Sequence, residues 1–280
     1  MPYQPLPPSW PQASQAERDA AYDNTRAVAD SAALIAARNA EAAGFRAAHA
    51  GHLDLPYGAG ERCAWDLFPG PDPAAPCLVF IHGGYWQRNT REDFAGFATG
   101  ALAAGWSFAL PGYTLAPKAS LTRIVTEIHA ALDWLGSNGA AHGIAGKVVL
   151  SGWSAGGHLT AMAMDHPVVA AGLALSGIYE LAPVRDTNLN EKLSLTEAEL
   201  AALSPLRLPV VRKPVAVAYG SAELPELCRH SRDWHAARAA AHAPGPLIPV
   251  PHADHFRILE ALKTPQGVLV RAAQDLLRDA

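Results

Sequence analysis

A serine lies between closely spaced glycines in the stretch GWSAGG, residues 152–157, just after the apolar run 148–150. Glycine loses more backbone entropy on folding than any other residue, so this cluster indicates a backbone that needs small side chains. The flanking patterns predict a strand before the turn and a helix after it, and G-x-S-x-G in that setting predicts a nucleophile elbow. Ser154 would then stand at a helix N-terminus, where a developing negative charge is stabilised. The chemistry that follows is nucleophilic attack on an acyl carbon.

A second pair of glycines follows another predicted strand, in the run HGGYW at residues 82–86. Backbone N–H groups approach a carbonyl oxygen most closely where side chains are absent. A run of this kind is typical of the loop that completes an oxyanion hole, together with the amide after the nucleophile. We therefore predict that the N–H groups of Gly84, Tyr85 and Ala155 bind the oxyanion.

A serine hydroxyl needs a base, and the base needs an acid that orients it. The chain has twelve histidines, and only His252 and His255 fall between the last predicted strand and the helix after it. We predict that His255 is the base, because His252 follows a proline so closely that it still belongs to the strand end.

The orienting acid is expected just past the predicted strand that ends at Gly220. Glu223 is the first carboxylate there and is our prediction for the acid. Glu226 comes three residues later and stays open as an alternative. Asp254 is disfavoured, because an immediate sequence neighbour rarely faces the imidazole.

Five aromatic residues occupy the predicted loops around these groups. Aromatic side chains at the mouth of a pocket suit an aromatic or apolar substrate, although each could instead pack its own loop. The predicted substrate contacts are Tyr85, Trp86, Tyr113, Trp153 and Tyr179. No basic residue in the sequence marks a site for an amino-acid carboxylate.

Short apolar runs alternate with helical patterns along most of the chain. Strands are predicted at 53–57, 63–68, 77–81, 106–110, 147–150, 173–175, 215–217 and 247–248. Helices are predicted after Ser14, from 30 or 31 to Gly44, at 120–135 with Gly136 closing it, at 156–164, 229–241 and 256–263, and after 264–265. Strands that are apolar on both faces and alternate with helices predict an α/β fold, with a mostly parallel central sheet covered by helices on both faces.

A single domain over residues 1–280 is predicted from this pattern. Residues 1–50 form an N-terminal arm and helices, in which the proline-rich stretch 1–12 is expected to be extended. Residues 179–208 interrupt the alternation, with a helical centre near 196–203. An insertion of this length is more often a cap over a site than a free loop.

Composition narrows the class of protein. The 280 residues are 50% hydrophobic with a formal net charge of −4 and no basic cluster, which argues against nucleic acid as a partner. Three scattered cysteines without metal-ligand spacing favour a reducing compartment. The N-terminus lacks the pattern of a signal peptide, and no apolar run is long enough to cross a bilayer. We expect a cytoplasmic protein without a membrane partner.

With these residues in place, the sequence resembles the α/β-hydrolases, and more narrowly their arylformamidase (kynurenine formamidase) and esterase group. The stretches that carry the resemblance span about residues 53–260: 82–86, 112–117, 152–159, 176–183, 224–226 and 254–256, with 22–24 nearer the N-terminus. Two departures stand out. Glu223 occupies a position that is usually aspartate, and Trp153 one that is often histidine.

The resemblance implies hydrolysis of N-formylkynurenine to kynurenine and formate, without a metal or an organic cofactor. A carboxylesterase for short-chain or aryl esters is the alternative, because it would use the same machinery. A catalytically inactive binding module of the same fold is disfavoured, since all three triad positions are filled. The expected partner is a small formamide or ester substrate, and a homodimer is possible.

Overall fold

An eight-stranded sheet forms the centre of the computed structural model, which describes residues 9–278. The strands are β1 (His52–Pro56), β2 (Ala64–Phe68), β3 (Cys77–Ile81), β4 (Ser107–Pro111), β5 (Val148–Trp153), β6 (Val169–Leu175), β7 (Val215–Gly220) and β8 (Leu247–Val250). Their spatial order is β1-β2-β4-β3-β5-β6-β7-β8. β2 pairs antiparallel with β1 and β4, and every other pair is parallel. The predicted α/β fold with a mostly parallel sheet is confirmed.

Helices cover both faces of this sheet. They are α1 (Gln15–Ala20), α2 (Asn24–Ala27), α3 (Ser31–Ala48), α4 (Ala98–Ala103), α5 (Leu121–Asn138), α6 (Ala155–Met162), α7 (Ala182–Arg185), α8 (Asn190–Leu193), α9 (Glu197–Leu203), α10 (Pro225–Ala240) and α11 (Val268–Arg278). Short 3-10 helices span Trp10–Gln12, Glu92–Phe97, Gly139–His142, Pro205–Arg207 and Arg257–Leu262. None of the helices within 9–278 is long and apolar enough to cross a membrane.

The core divides into two layers, one on each face of the sheet. Side chains alternate along a strand, so Val79 and Ile81 of β3 face one layer while Leu78 and Phe80 face the other. The first layer includes the buried face of α5, and the second includes that of α11. Both faces of the parallel strands are therefore covered, and their near-continuous apolar sequence is explained.

Several helix ends differ from the predictions. α3 continues past Gly44 to Ala48, and α5 continues past Gly136 to Asn138. Gly136 lies inside α5, where a Cβ would be 2.6 Å from a methyl carbon of Val168. This close contact explains why the position is a glycine. The glycine permits close packing and does not terminate the helix, which is the other common reason for a glycine in a helical pattern.

The N-terminal segment packs beside residues 179–208. The capping box predicted from Ser14 and Glu17 is present at the start of α1. The Trp10 indole N–H donates to Asp186 at 3.0 Å, and Asp19 accepts from the backbone N–H of Asn188 at 2.8 Å. Residues 9–12 contain a 3-10 helix instead of the predicted extended arm, whose residues 1–8 lie outside the described part. A lid role for 179–208 stays a prediction.

All the parallel strands end at the same edge of the sheet. The loop 82–86 follows β3, and Ser154 follows β5. Glu223 follows β7, and His255 follows β8. In open α/β sheets, ligands bind in the crevice outside the carboxyl ends of the strands. The topology therefore gathers the predicted catalytic groups at the edge where a site is expected.

Candidate active site

Ser154 lies at the sharp turn between β5 and α6. Its backbone has φ 59° and ψ −117°, a conformation that residues other than glycine rarely adopt. Such strain costs roughly 1–3 kcal/mol and persists only where the surrounding structure enforces it. The strand, strained turn and helix that define a nucleophile elbow are all present.

Close backbone contacts explain the glycines around the serine. A Cβ on Gly152 would lie 2.2 Å from the carbonyl oxygen of Gly156, and a Cβ on Gly156 would lie 2.0 Å from that of Ile81. A Cβ on Gly157 would lie 2.8 Å from the backbone of the loop after β6. Each distance is shorter than real Cβ contacts, so side chains at these positions would force the strand and helix apart.

Hydrogen bonds fix this turn against the neighbouring strand. The Ser154 N–H donates to the carbonyl oxygen of Leu175 in β6 at 2.8 Å. Ala155 is the first residue of α6, so its N–H has no acceptor within the helix. That amide and the helix N-terminus are therefore available to a negative charge beside the serine.

His255 and Glu223 are in direct contact. The imidazole Nδ1 lies 2.9 Å from Glu223 Oε2, and both side chains are almost completely buried. The other carboxylate oxygen accepts from the Ser176 hydroxyl at 2.5 Å and the Gly220 N–H at 2.6 Å. Because a carboxylate accepts, Nδ1 carries the proton and Nε2 is left as the basic nitrogen.

The two alternative acids are engaged elsewhere. Glu226 forms an ion pair with Arg229 at 2.7 Å, one turn along α10. Asp254 pairs with Arg257 and accepts from the N–H groups that follow it in the chain. The structure therefore brings Glu223 to His255, and it leaves Glu226 and Asp254 in local contacts.

Trp153 holds the imidazole from the side of the elbow. Its indole N–H donates to the carbonyl oxygen of His255 at 2.8 Å, and the two rings are 4.8 Å apart between centroids. Trp153 is the residue before the serine, at a position that is often histidine in the family that the sequence resembles. A large ring at this position links the turn after β5 directly to the loop after β8.

Ser154 and His255 line one cavity of about 530 Å³. Its walls also include α2 and α3, the loop after β3, and residues 188–189 of the segment 179–208. Within residues 9–278 the Ser154 hydroxyl forms no hydrogen bond, so it is free to bond to a substrate or to the imidazole. Catalytic hydrogen bonds often tighten only when a substrate binds.

The loop after β3 also carries backbone strain. Gly84 has φ 119°, and Tyr85 and Trp86 have φ 52° and 58°. Within the described residues, the N–H groups of Gly84 and Tyr85 donate no backbone hydrogen bond. A Cβ on Gly83 would lie 2.5 Å from the carbonyl oxygen of Trp153, so the loop contacts the elbow directly.

Two buried contacts anchor the Tyr85 side chain. Its hydroxyl donates to the carbonyl oxygen of Tyr22 at 2.6 Å and accepts from Asn24 Nδ2 at 2.9 Å. The N-terminal segment therefore helps to hold the loop that offers the predicted oxyanion donors. Sequence reasoning missed this role, although the stretch 22–24 was part of the resemblance.

The buried side chain of His82 contacts the same loop from the core side. Its ring stacks on Tyr113 at 4.3 Å, and burial lowers the pKa of His82 to about 3. Because it is neutral and lies 2.9 Å from the Gly83 carbonyl oxygen, Nδ1 carries a proton and donates to that oxygen. The Tyr113 hydroxyl donates to the His82 carbonyl oxygen at 2.9 Å.

Comparison with known proteins places this arrangement in a family. The BD-FAE family model matches residues 68–166. Kynurenine formamidase of Salmo salar is 30% identical over 227 residues, which cover 75% of this chain and 76% of the relative. The chain belongs to the arylformamidase and esterase group of α/β-hydrolases. It is a hydrolase.

Two further relatives agree with this membership. Kynurenine formamidase of Danio rerio is 27% identical over 236 residues, 78% of this chain and 79% of the relative. A solved structure of a suggested thioesterase from Silicibacter sp. TM1040 has a TM-score of 0.84 and 30% identity. That likeness covers 92% of this chain and 99% of the other.

Only two of the five predicted aromatic contacts of this hydrolase line the cavity. Tyr85 and Trp153 do so. Trp86, Tyr113 and Tyr179 are completely buried and pack in the core beneath it. Their rings lie against His158, His82 and Trp234, respectively. The prediction of substrate contacts is therefore wrong for these three residues. Their side chains lie on the side of each loop that packs into the core and not on the side that faces the cavity.

Three arginines of the hydrolase line the cavity and were missed from the sequence. Arg26 comes from α2, Arg38 from α3 and Arg88 from the loop after β3. No local pattern could reveal them, because the fold brings them together from separate segments. No group of His, Cys, Asp and Glu in residues 9–278 could hold a metal ion.

Proposed function

We propose that this hydrolase is an arylformamidase that converts N-formylkynurenine to kynurenine and formate. Ser154, His255 and Glu223 serve as its catalytic triad. The observation that carries the proposal is the His255–Glu223 hydrogen bond, in the same cavity as a serine on a strained elbow. The formamide substrate is supported by the relatives named kynurenine formamidase, at 27% and 30% identity.

In the first half of the reaction, the Ser154 hydroxyl attacks the formyl carbon while His255 Nε2 accepts its proton. The electron pair of the carbonyl moves onto oxygen, and the N–H groups of Gly84, Tyr85 and Ala155 bind the resulting oxyanion. Collapse of this intermediate breaks the C–N bond, and the imidazolium returns its proton to the departing aryl amine. The serine is left carrying the formyl group.

Water completes the cycle. His255 accepts a proton from the water molecule that attacks the formyl ester, and a second oxyanion forms in the same site. Formic acid departs as the C–O bond to Ser154 breaks, and the serine recovers its proton from the imidazolium. The acid then loses its remaining proton to solvent and leaves as formate. Glu223 stabilises the positive imidazole in both halves, because its own orientation is fixed by Ser176 and Gly220.

A carboxylesterase acting on short-chain or aryl esters is the second candidate. The specific observation that favours it is the likeness, at a TM-score of 0.84, to the suggested thioesterase, whose substrates would be esters of a thiol. The triad and oxyanion donors proposed here would serve either bond, so the leaving group distinguishes the two candidates.

Steady-state kinetics test both proposals. We expect kcat/KM for N-formylkynurenine to exceed that for p-nitrophenyl acetate and butyrate by about tenfold or more, since substrate discrimination of this size is ordinary for an adapted site. A much higher kcat/KM on the esters, with negligible formamide hydrolysis, would favour the carboxylesterase.

The nucleophile is tested by Ser154→Ala, with Ser137→Ala on the exposed face of α5 as the matched control. We expect Ser154→Ala to lower kcat by roughly 10⁴-fold or more on every substrate, and the control to keep wild-type activity. Comparable thermal unfolding of the two variants would show that the fold is retained. Undiminished hydrolysis by Ser154→Ala would refute the assignment.

A further inference from the structure

The three arginines that line the cavity are not held in direct ion pairs. Arg26, Arg38 and Arg88 form no ion pair with a carboxylate in the part of the chain that the structure describes. Arg26 and Arg88 are exposed at the mouth of the cavity, whereas Arg38 is half-buried. The cavity lining therefore contains three arginines and two aspartates, and it is positive on balance in a protein whose formal net charge is −4.

Arg38 is held in a fixed position. Its guanidinium carbon lies 4.2 Å from the centroid of the Phe94 ring, a cation–π distance. Nε and Nη2 donate to the side-chain oxygen of Asn39 at 3.0 and 2.9 Å, and Nη2 also contacts Asn89 Oδ1 at 3.4 Å. Nη1 has no acceptor within residues 9–278 and remains available to a ligand.

Two neighbours of Arg38, Asn89 and Phe94, contact the elements that carry the proposed catalytic groups. Asn89, which contacts Arg38, donates through Nδ2 to the carbonyl oxygen of Gly83 at 3.0 Å. The Phe94 ring under the guanidinium lies 5.9 Å from that of Trp153, the residue before the serine. Asn89 therefore connects Arg38 to the loop 82–86, which carries the predicted oxyanion donors, and Phe94 connects it to the turn at Ser154. Arg38 also lines the same cavity as Ser154.

Two carboxylates also line this cavity, and each already has donors. Asp19 accepts from the Gln15 side chain at 2.9 Å and from the N–H of Asn188 at 2.8 Å. Asp23 accepts from the N–H of Arg26 at 3.0 Å and caps α2. Neither is bonded to the Arg38 guanidinium. Burial lowers the pKa of Arg38 and the charge of the Asp93 carboxylate partly opposes this, but an arginine remains charged at neutral pH.

We propose that Arg38 binds a carboxylate on the leaving-group side of the substrate, with Arg26 and Arg88 attracting the anion to the mouth. The inference rests on the proposed function, because the formyl group of a formamide carries only a hydrogen atom beyond its carbonyl. In a formamide, the departing amine is therefore the part of the substrate that carries atoms extending along the cavity that Arg38 lines. The enzyme therefore prefers leaving groups that carry an anionic group.

A pair of esters isolates this effect. 4-Acetoxybenzoate and its methyl ester share the acetyl group and the bond that breaks, and they differ in the carboxylate. We expect Arg38→Met to lower the ratio of kcat/KM for the acid to that for the methyl ester by roughly 10- to 100-fold, mainly through KM. Arg38→Lys keeps the charge and should give an intermediate ratio. Arg123→Met, an exposed arginine of α5, should keep the wild-type ratio.

The opposite results are equally clear. A ratio within twofold of wild type in Arg38→Met, or an equal fall for both esters, would overturn the proposal and leave Arg38 a structural role. If wild type hydrolyses neither ester nor N-formylkynurenine, it is the proposed function that fails. Calorimetric binding of 4-hydroxybenzoate then decides the anion site on its own, since Arg38→Met should bind it at least about tenfold more weakly. Equal affinity would overturn the inference.

Discussion

Replacing Glu223 by glutamine would test the proposed proton transfer with a change of very few atoms. The carboxylate oxygen Oε1 accepts from the Ser176 hydroxyl and from the Gly220 N–H, while Oε2 accepts from His255. A glutamine has one oxygen and one NH₂ group to place at these two positions. The Gly220 N–H is fixed as a donor, so the amide oxygen must occupy the Oε1 position and the NH₂ group the Oε2 position.

That orientation would disable the base. An NH₂ group facing Nδ1 of His255 forces this nitrogen to accept, which moves the imidazole proton to Nε2 on the side of Ser154. The wrong tautomer cannot take the serine proton, and the charge that stabilises the imidazolium is also lost. For the corresponding change in a serine protease the loss is about 10⁴ in kcat, and we expect roughly 10³ to 10⁴ here. Each tenfold loss corresponds to about 1.4 kcal/mol of transition-state stabilisation.

Steady-state turnover of N-formylkynurenine and p-nitrophenyl acetate would measure this loss. Glu226→Gln is the matched control, because Glu226 belongs to the same segment but pairs with Arg229. Thermal unfolding of both variants would check that the fold is intact. If Glu223→Gln kept more than about a tenth of the wild-type kcat, or Glu226→Gln lost as much, the orientation argument would be wrong.

Two further predictions concern the packing around the site. Tyr85→Phe removes a hydroxyl that bonds two buried partners, and we expect the free energy of unfolding to fall by about 1–3 kcal/mol in urea titrations, with a lower kcat. His158 is buried, with Nε2 2.8 Å from the Leu203 carbonyl oxygen, and burial lowers its pKa from 6.5 to about 4. As the pH falls below about 6.5, His158 takes up a proton in the unfolded chain but not in the folded chain. The free energy of unfolding therefore decreases in that range. Between pH 7 and 5 this group should account for about 2 kcal/mol of that decrease, and His158→Gln should lose stability less steeply by that amount in urea unfolding at the two pH values.

Each of these predictions has a clear contrary result. Tyr85→Phe with unchanged stability and kcat would show that the hydroxyl does not position the oxyanion loop. For His158, the quantity compared is the change in the free energy of unfolding between pH 7 and pH 5. Carboxylates and the other histidines contribute equally to that change in wild type and in His158→Gln. The same loss of stability in His158→Gln as in wild type would mean that the imidazole takes up its proton over the same pH range in the folded and the unfolded chain.

The sequence was most informative where chemistry demands unusual backbone. The glycines at 152 and 156 predicted the elbow because a strained turn needs both residues to be small. In the structure, a Cβ on either glycine would collide with a backbone oxygen. The strands were predictable because burial on both faces makes them continuously apolar. Glu223 was reached from its place after β7, and the structure brings it to His255.

The failures have a common physical origin. Trp86, Tyr113 and Tyr179 lie in loops near the site, and a linear pattern does not show which side of a loop faces the cavity. Gly44 and Gly136 read as helix ends, yet both stand inside helices. The cavity arginines come from three segments, whose proximity depends on how α2 and α3 pack beside the loop after β3. Each of these properties is tertiary.

Backbone strain and rigid support occur together in this hydrolase. Tyr85, Trp86, Ser154 and Ser176 all have positive φ. Tyr85 and Trp86 lie in the loop after β3, and the two serines directly follow β5 and β6. Such conformations cost roughly 1–3 kcal/mol each and are retained where the surroundings fix them. Here the surroundings are central strands that are almost completely buried on both faces. The sheet can therefore hold the amides and the hydroxyl of the proposed site in place before a substrate binds, so the proposed oxyanion would meet donors that need no reorganisation.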